Sequence, residues 1–243
     1  MKTLLCSALL LLTFSLNAQA PVAVPIPKEP HHHLVLENDY VRVFRVSVPA
    51  HDATFLHQHD VPYLYVALGP ADVINAVQDK PEVHLVMADG QVGYSRGGFA
   101  HIARTDAGSP FNNVTIELLR PQGEPKNRCD KVVPGELGPC THERRVNSYT
   151  NSPSFETDEI DVYSVELQPK AGFQEVPETD TLLVALDQAE LTVQRTGQAD
   201  VKLSGGDQLW LPRRSSQTIR NASDGPSRFL SIKFKDSAVT ATH

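Results

Sequence analysis

Hydrophobic and polar positions alternate with a period of two along short runs separated by turn-forming residues, the pattern of half-buried β-strands. A first series of such runs covers Val41–Val48, Tyr63–Gly69, Glu82–Met87, His101–Thr105 and Val114–Leu119. A second covers Ile160–Leu167, Thr181–Leu186, Glu190–Arg195, Asp207–Leu211 and Arg228–Lys235. No stretch of helical period longer than about ten residues stands out, so the expected class is all-β.

The two series resemble each other. Val66-Ala67-Leu68 matches Val184-Ala185-Leu186, and Gly90…Arg96-x-Gly98-x-x-His101 matches Gly206…Pro212-x-Arg214-x-x-Gln217, at offsets of 118 and 116. A repeat of nearly domain length signals a duplicated β-domain rather than a solenoid, whose units run to about 20–50 residues. The chain of 243 residues is long enough for two such domains.

Composition changes this picture in three places. The charge of −7, with no Lys/Arg block, argues against nucleic-acid binding and against anionic membranes, because both need clustered cations. The opening MKTLLCSALLLLTFSLNAQA has a lysine, an apolar run and an Ala-x-Ala end, which predicts an export signal cleaved after Ala20 and no membrane insertion thereafter. Of three cysteines, Cys6 lies in that signal, while Cys129 and Cys140 form an even pair in a Pro/Gly-rich connector and predict one disulfide. Their spacing does not fit a C-x-x-C redox motif.

The candidate chemistry lies in the first half. His57 and His59 flank Gln58, and on a strand residues i and i+2 project from the same face, so two imidazoles at this spacing point together. His101 follows a glycine turn on another predicted strand. Three neutral imidazoles converging from two strands would bind a divalent ion and leave coordination positions open.

At these residues the chain resembles the cupin superfamily, in both halves. The family's first motif, G-x5-H-x-H-x3–4-E-x6-G, is represented by His57, His59 and Gly69, with Tyr63 or Leu64 in place of the glutamate and His51 in place of the opening glycine. The second, G-x5-P-x-G-x2-H-x3-N, is represented by Gly90, Gly98 and His101, with Arg96 for the proline and Thr105 for the asparagine. In the second half Gly206, Pro212 and Asn221 keep the frame, but Gln217 takes the histidine position, and Glu175 and Pro177 fall near the first two.

The resemblance implies two tandem jelly-roll barrels. It divides the chain into a signal peptide (1–20), an extended tail (21–33), a metal-binding cupin domain (34–121), a linker with the disulfide (122–152), a degenerate cupin domain without metal (153–236) and a tail (237–243). It implies one divalent transition metal on His57, His59 and His101, iron first, with zinc, manganese or nickel as alternatives. Without the glutamate the ion's double charge is uncancelled, which favours an anionic or chelating small-molecule substrate. Dioxygenase chemistry comes first and lyase or isomerase chemistry second, with a non-catalytic binding or scaffold protein as the rival. Homo-oligomerisation and the choice between periplasm and full secretion stay open.

Tyr63 shares a strand face with Tyr65 and is the candidate proton donor, against the alternative of packing. The opposite face, Leu64, Val66 and Leu68, is expected to pack against the partner domain. The His31–His33 tract next to the Pro-rich segment is expected to be solvated tail, His51 an exposed loop residue, His84 strand surface, Arg96 surface and Trp210 filler of the second core. Asn113-Val114-Thr115 and Asn221-Ala222-Ser223 fit the glycosylation pattern. No nucleophile elbow or phosphate loop is present.

Overall fold

The computed structural model describes residues 22–123, 144–146, 148–186 and 188–236. The expected export signal, Cys129 and Cys140 lie outside the described residues.

The first half contains β1 (Val24–Pro25), a 3-10 turn (Ile26–Lys28), β2 (His32–Glu37), β3 (Val41–Val48), β4 (His57–His59), β5 (Tyr63–Ala67), β6 (Ala71–Val77), β7 (Val83–Met87), β8 (Val92–Ser95), β9 (Phe99–Arg104) and β10 (Phe111–Leu118). These form two five-stranded sheets, ordered β1-β4-β9-β6-β7 and β2-β3-β10-β5-β8. The second half contains β11 (Arg144–Val146), β12 (Tyr149–Glu156), β13 (Ile160–Leu167), β14 (Gly172–Glu175), β15 (Thr181–Ala185), β16 (Glu190–Arg195), β17 (Val201–Ser204), β18 (Gln208–Leu211), β19 (Gln217–Asn221) and β20 (Ser227–Phe234). Its sheets run β11-β12-β13-β20-β15-β18 and β14-β19-β16-β17.

Apart from β1 and β11, which have no counterpart, the strand orders of the two halves coincide once β3 is set on β13, β5 on β15, β9 on β19 and β10 on β20. The register coincides too: His57 pairs with His101 in the first half, and Glu175 pairs with Gln217 in the second. Duplication, read from the sequence offsets, is thus repeated in the hydrogen-bond ladders.

The two halves share their largest core. Leu64, Val66 and Ile116 from one barrel pack against Leu182, Val184, Leu230 and Ile232 from the other, as the alternation along Tyr63–Ala67 predicts. The odd-numbered residues of β5, Tyr63, Tyr65 and Ala67, belong to the barrel interior. Both faces of β5 and β15 are therefore covered, which is why these strands read as nearly unbroken apolar runs. Trp210 belongs to this shared core and not to the second interior. Its ring lies 5.3 Å from Tyr40 and 5.1 Å from Phe234, because position 210 falls on the face of β18 turned to the partner barrel.

The two interiors differ in content. The second is packed with Leu183, Leu191, Val193, Leu211, Ile219 and Phe229. The first has a smaller apolar layer, including Phe44, Val46, Val73 and Phe111, below a group of histidines.

Candidate metal centre

Three short devices position the histidines. On β4 the period of two turns His57 and His59 to the same side, and both are buried. On β9, His101 stands directly across from His57 and Phe99 across from His59, so all four rings share the inner face of the sheet. The Gly97-Gly98 turn sets that register: both glycines have positive φ, and the Gly98 N–H donates to the His59 carbonyl at 2.6 Å. At Gly97 a Cβ would stand 2.2 Å from the Val61 carbonyl oxygen, so only glycine allows this approach.

Ring centroids are 4.4 Å apart for His57 and His101, 5.0 Å for His57 and His59, and 5.1 Å for His59 and His101. A fourth imidazole completes the group. His32, the middle residue of the tract expected as solvated tail, is buried, with its ring 4.7 Å from His57 and 6.2 Å from His59. One ring nitrogen from each of His32, His57 and His59 lies within 4.8 Å of the others. His33, next along the strand, is exposed as the alternation requires.

The reason for this correction is tertiary. Residues Val24–Pro25 pair in parallel with His57–Gln58 on one sheet, the 3-10 turn follows, and the chain then crosses to the other sheet as β2. There His32 pairs with Val46, an inward position. The Pro-rich stretch is the strap that makes this crossing.

Three of the four imidazoles are held from behind. His57 Nδ1 bonds the Phe55 carbonyl at 2.8 Å, His101 Nδ1 bonds Asn75 Oδ1 at 2.6 Å, and His32 Nδ1 bonds Glu29 Oε2 at 2.5 Å. Acceptors on Nδ1 of His57 and His32 fix the proton there and turn the lone pair of Nε2 inward. Glu29 is itself buried and also accepts the His31 and Phe55 N–H groups, at 2.9 and 3.1 Å. Burial pushes its carboxyl up, but the hydrogen bonds from His32, His31 and Phe55 outweigh this and keep it ionised well below the usual carboxylate range.

The donor atoms of His32, His57 and His59 fit a metal ion by their spacing, a group that does not include His101. His57 Nε2, His59 Nδ1 and His101 Nε2 are buried without a hydrogen-bond partner, which is costly for a polar atom unless something coordinates it. Burial, with repulsion from neighbouring imidazoles, lowers His57 to about 4 and His101 to about 3, and lowers His59 further. All three are neutral at pH 7, the form that offers a lone pair.

Tyr63 stacks on His59 at 4.0 Å between centroids and is buried. Burial raises its phenol, and a hydrogen bond with Ser95 partly opposes that shift, so it keeps its proton at neutral pH. His51 and Arg96 are exposed, and His84 is an exposed strand residue paired with Asp72. Asn113 and Thr115, read as a glycosylation pattern, are buried, and Thr115 donates to Asn113 Oδ1 at 2.9 Å on the inner face of β10. Asn221 is buried too, its amide donating to the carbonyls of Leu167, Gln168 and Gly225. Neither asparagine is open to glycosylation in the folded chain.

A cavity of about 250 Å³ opens beside the four histidines. The second barrel has only about 40 Å³ at the corresponding place, where Glu175 faces Lys233 at 3.8 Å.

Glu29, His32 and Asn75 were missed by sequence reasoning. The apolar run Leu34-Val35-Leu36 is a signal that could have marked this segment as a strand, but it does not mark His32 as turned inward. For Glu29 and Asn75, which act only through the ring behind which they sit, the sequence carries none.

No family model matches the chain, and no curated protein matches it. Solved structures do. The chain is similar to AerE from Microcystis aeruginosa, with 11% identity and TM-score 0.60 over 86% of this chain and 99% of that one. It is similar to a protein of Pseudomonas aeruginosa described as glyoxylate-induced, with 12% identity and TM-score 0.62 over 86% of this chain and 82% of that one. It is also similar to oxalate decarboxylase from Bacillus subtilis, with 13% identity and TM-score 0.54 over 82% of this chain and 69% of that one. At such identities the likeness speaks for architecture and leaves activity to the site itself. The chain has the cupin fold, built as two jelly-roll barrels in tandem.

Proposed function

We propose that this chain is an exported metal-dependent enzyme that binds a small oxygen-donor molecule, anionic or chelating, against the histidine centre of its first barrel. Dioxygenase chemistry is the first reaction class and lyase or isomerase chemistry the second. The observation that carries this reading is the set of unpartnered ring nitrogens of His57, His59 and His101 beside a cavity large enough for a ligand.

His57, His59 and His101 would hold the ion, and His32 would add a fourth nitrogen. A divalent ion there supplies Lewis acidity and, with iron, the redox chemistry of dioxygen. Glu29, Asn75 and the Phe55 carbonyl keep the rings oriented. Glu29 also places one negative charge behind His32, which partly replaces the glutamate missing from the resemblance. Tyr63, protonated and stacked on His59, is positioned to donate a hydrogen bond or a proton at the cavity wall. The second barrel is the structural partner: its interior is filled, and Glu175 and Gln217 stand where His57 and His101 stand. Export and a Cys129–Cys140 disulfide belong to the same reading and rest on the sequence pattern.

The fourth histidine supports a second reading. Four imidazoles saturate a tetrahedral zinc ion and leave no open position, which suits a structural site in a binding protein, whereas a six-coordinate ion keeps two positions free. Elemental analysis of the mature chain beside a His57→Ala/His59→Ala variant tests both. About one iron per chain, lost in the variant, supports the oxygenase reading and leads to oxygen-uptake assays. One manganese or nickel favours a lyase or isomerase. One zinc whose spectroscopic cobalt substitute is four-coordinate favours the structural site. No metal in either protein would refute the metal centre.

A further inference from the structure

Beyond the metal, the cavity has a chemical bias of its own. Beyond His101 on the same sheet, its wall is built by β6 and β7: Val73 pairs with Leu85, and the period of two sets Val83, Leu85 and Met87 along the cavity. Phe99 and Phe111 also line it. Among the described residues, no Lys, Arg, Asp or Glu lines it.

The polar groups that do line it are largely engaged with one another. Asn75 Oδ1 holds His101, Thr54 Oγ1 accepts the Ala103 N–H at 2.9 Å, and Thr115 is turned to Asn113. Ser95 accepts the Gly97 N–H at 3.2 Å and bonds Tyr63.

We propose that the natural ligand has a single oxygen-donor head, seated at the histidines, and an apolar body, aromatic or branched aliphatic, lying against Val73, Leu85, Met87 and Phe99. This rests on the metal reading only for the placement of the head. A second carboxylate on the body would be drawn out of water against aliphatic carbon with no cation to meet it. An aromatic ring has the opposite balance. The space is ample, since a dry apolar cavity of about 150 Å³ already accepts benzene.

Three carboxylates of differing body test this by calorimetry on the metal-loaded chain: acetate, benzoate and succinate. The head is constant, and succinate is close to benzoate in size. Benzoate should bind at least about tenfold more tightly than either of the others, the factor expected for burying a ring. Leu85 is half-buried on an edge strand, so Leu85→Asn should fold. It should reduce the preference for benzoate over acetate at least about threefold, at unchanged metal content. Succinate binding as tightly as benzoate, benzoate no tighter than acetate, or a benzoate affinity untouched by Leu85→Asn would each overturn the proposal.

Phenol titrated into the metal-free chain separates the two readings. If the chain takes up no metal but binds one phenol, weakened by Leu85→Asn, the metal reading fails and the apolar site stands. If metal binds and benzoate shows no preference, the apolar site fails and the metal reading stands.

Discussion

Replacing Glu29 by glutamine tests whether the strap before β2 is part of the metal centre. The carboxylate accepts four hydrogen bonds: Oε2 takes the His31 N–H and His32 Nδ1, and Oε1 takes the Phe55 N–H and His31 Nδ1. An amide has one oxygen, so its NH2 group must face one of these two pairs. Facing Phe55 and His31 Nδ1, it leaves a backbone N–H buried without an acceptor, a loss of about 1–3 kcal/mol. Facing His32, it donates to Nδ1 and drives the imidazole proton to Nε2, which removes the lone pair aimed at the cluster. Either outcome also deletes the negative charge that supports His32. The expected result is a stability loss of about 1–3 kcal/mol in urea unfolding of the metal-free chain, and a metal affinity about 10–100-fold lower by competition with a chromophoric chelator. Glu29→Asp should fall in between, because it keeps the charge but is shorter by one methylene. A folded Glu29→Gln protein with metal affinity within about twofold of the parent would refute the argument that Glu29 acts through His32 on the ion.

The lowered pKa values of His57 and His101, about 4 and 3 against an ordinary 6.5, make the metal-free chain sensitive to acid. Below 6.5 the unfolded chain binds protons that the folded chain refuses, so stability is full above about 6.5 and falls as pH drops toward 4. The slope is about 1.4 kcal/mol per pH unit for each proton taken up. Urea midpoints between pH 7 and 4 read this directly, and a flat profile would contradict the burial argument. Gly97→Ala and Gly98→Ala form a matched pair, since both glycines have positive φ, but a Cβ strikes the Val61 carbonyl at the first position and meets nothing within 4 Å at the second. Gly98→Ala should cost about 1–2 kcal/mol, the left-handed penalty alone, and Gly97→Ala clearly more, with weakened metal binding because the turn carries the His101 register. Equal losses in denaturant unfolding would show that the close approach to Val61 is unimportant.

The sequence alone determined the all-β class, the duplication and the pair on β4, because each depends on local periodicity or on self-similarity. Val41–Val48, Ile160–Leu167 and Glu190–Arg195 coincide with their strands end to end, since each is an apolar alternation between turn residues. Leu64, Val66 and Leu68 were legible as the face toward the other barrel for the same reason. Only the tertiary structure decided the rest of the site. His32 sits beside His57 because the chain first pairs with β4 and then crosses sheets, a long-range arrangement that leaves no mark in a window around residues 31–33. Glu29 and Asn75 matter through the ring nitrogens they hold, and the Asn113 and Asn221 patterns lost their meaning once their side chains were found buried. Trp210 moved to the shared core on the same grounds. Periodicity says which side of a strand a residue faces; what lies on that side is set by the pairing of distant strands.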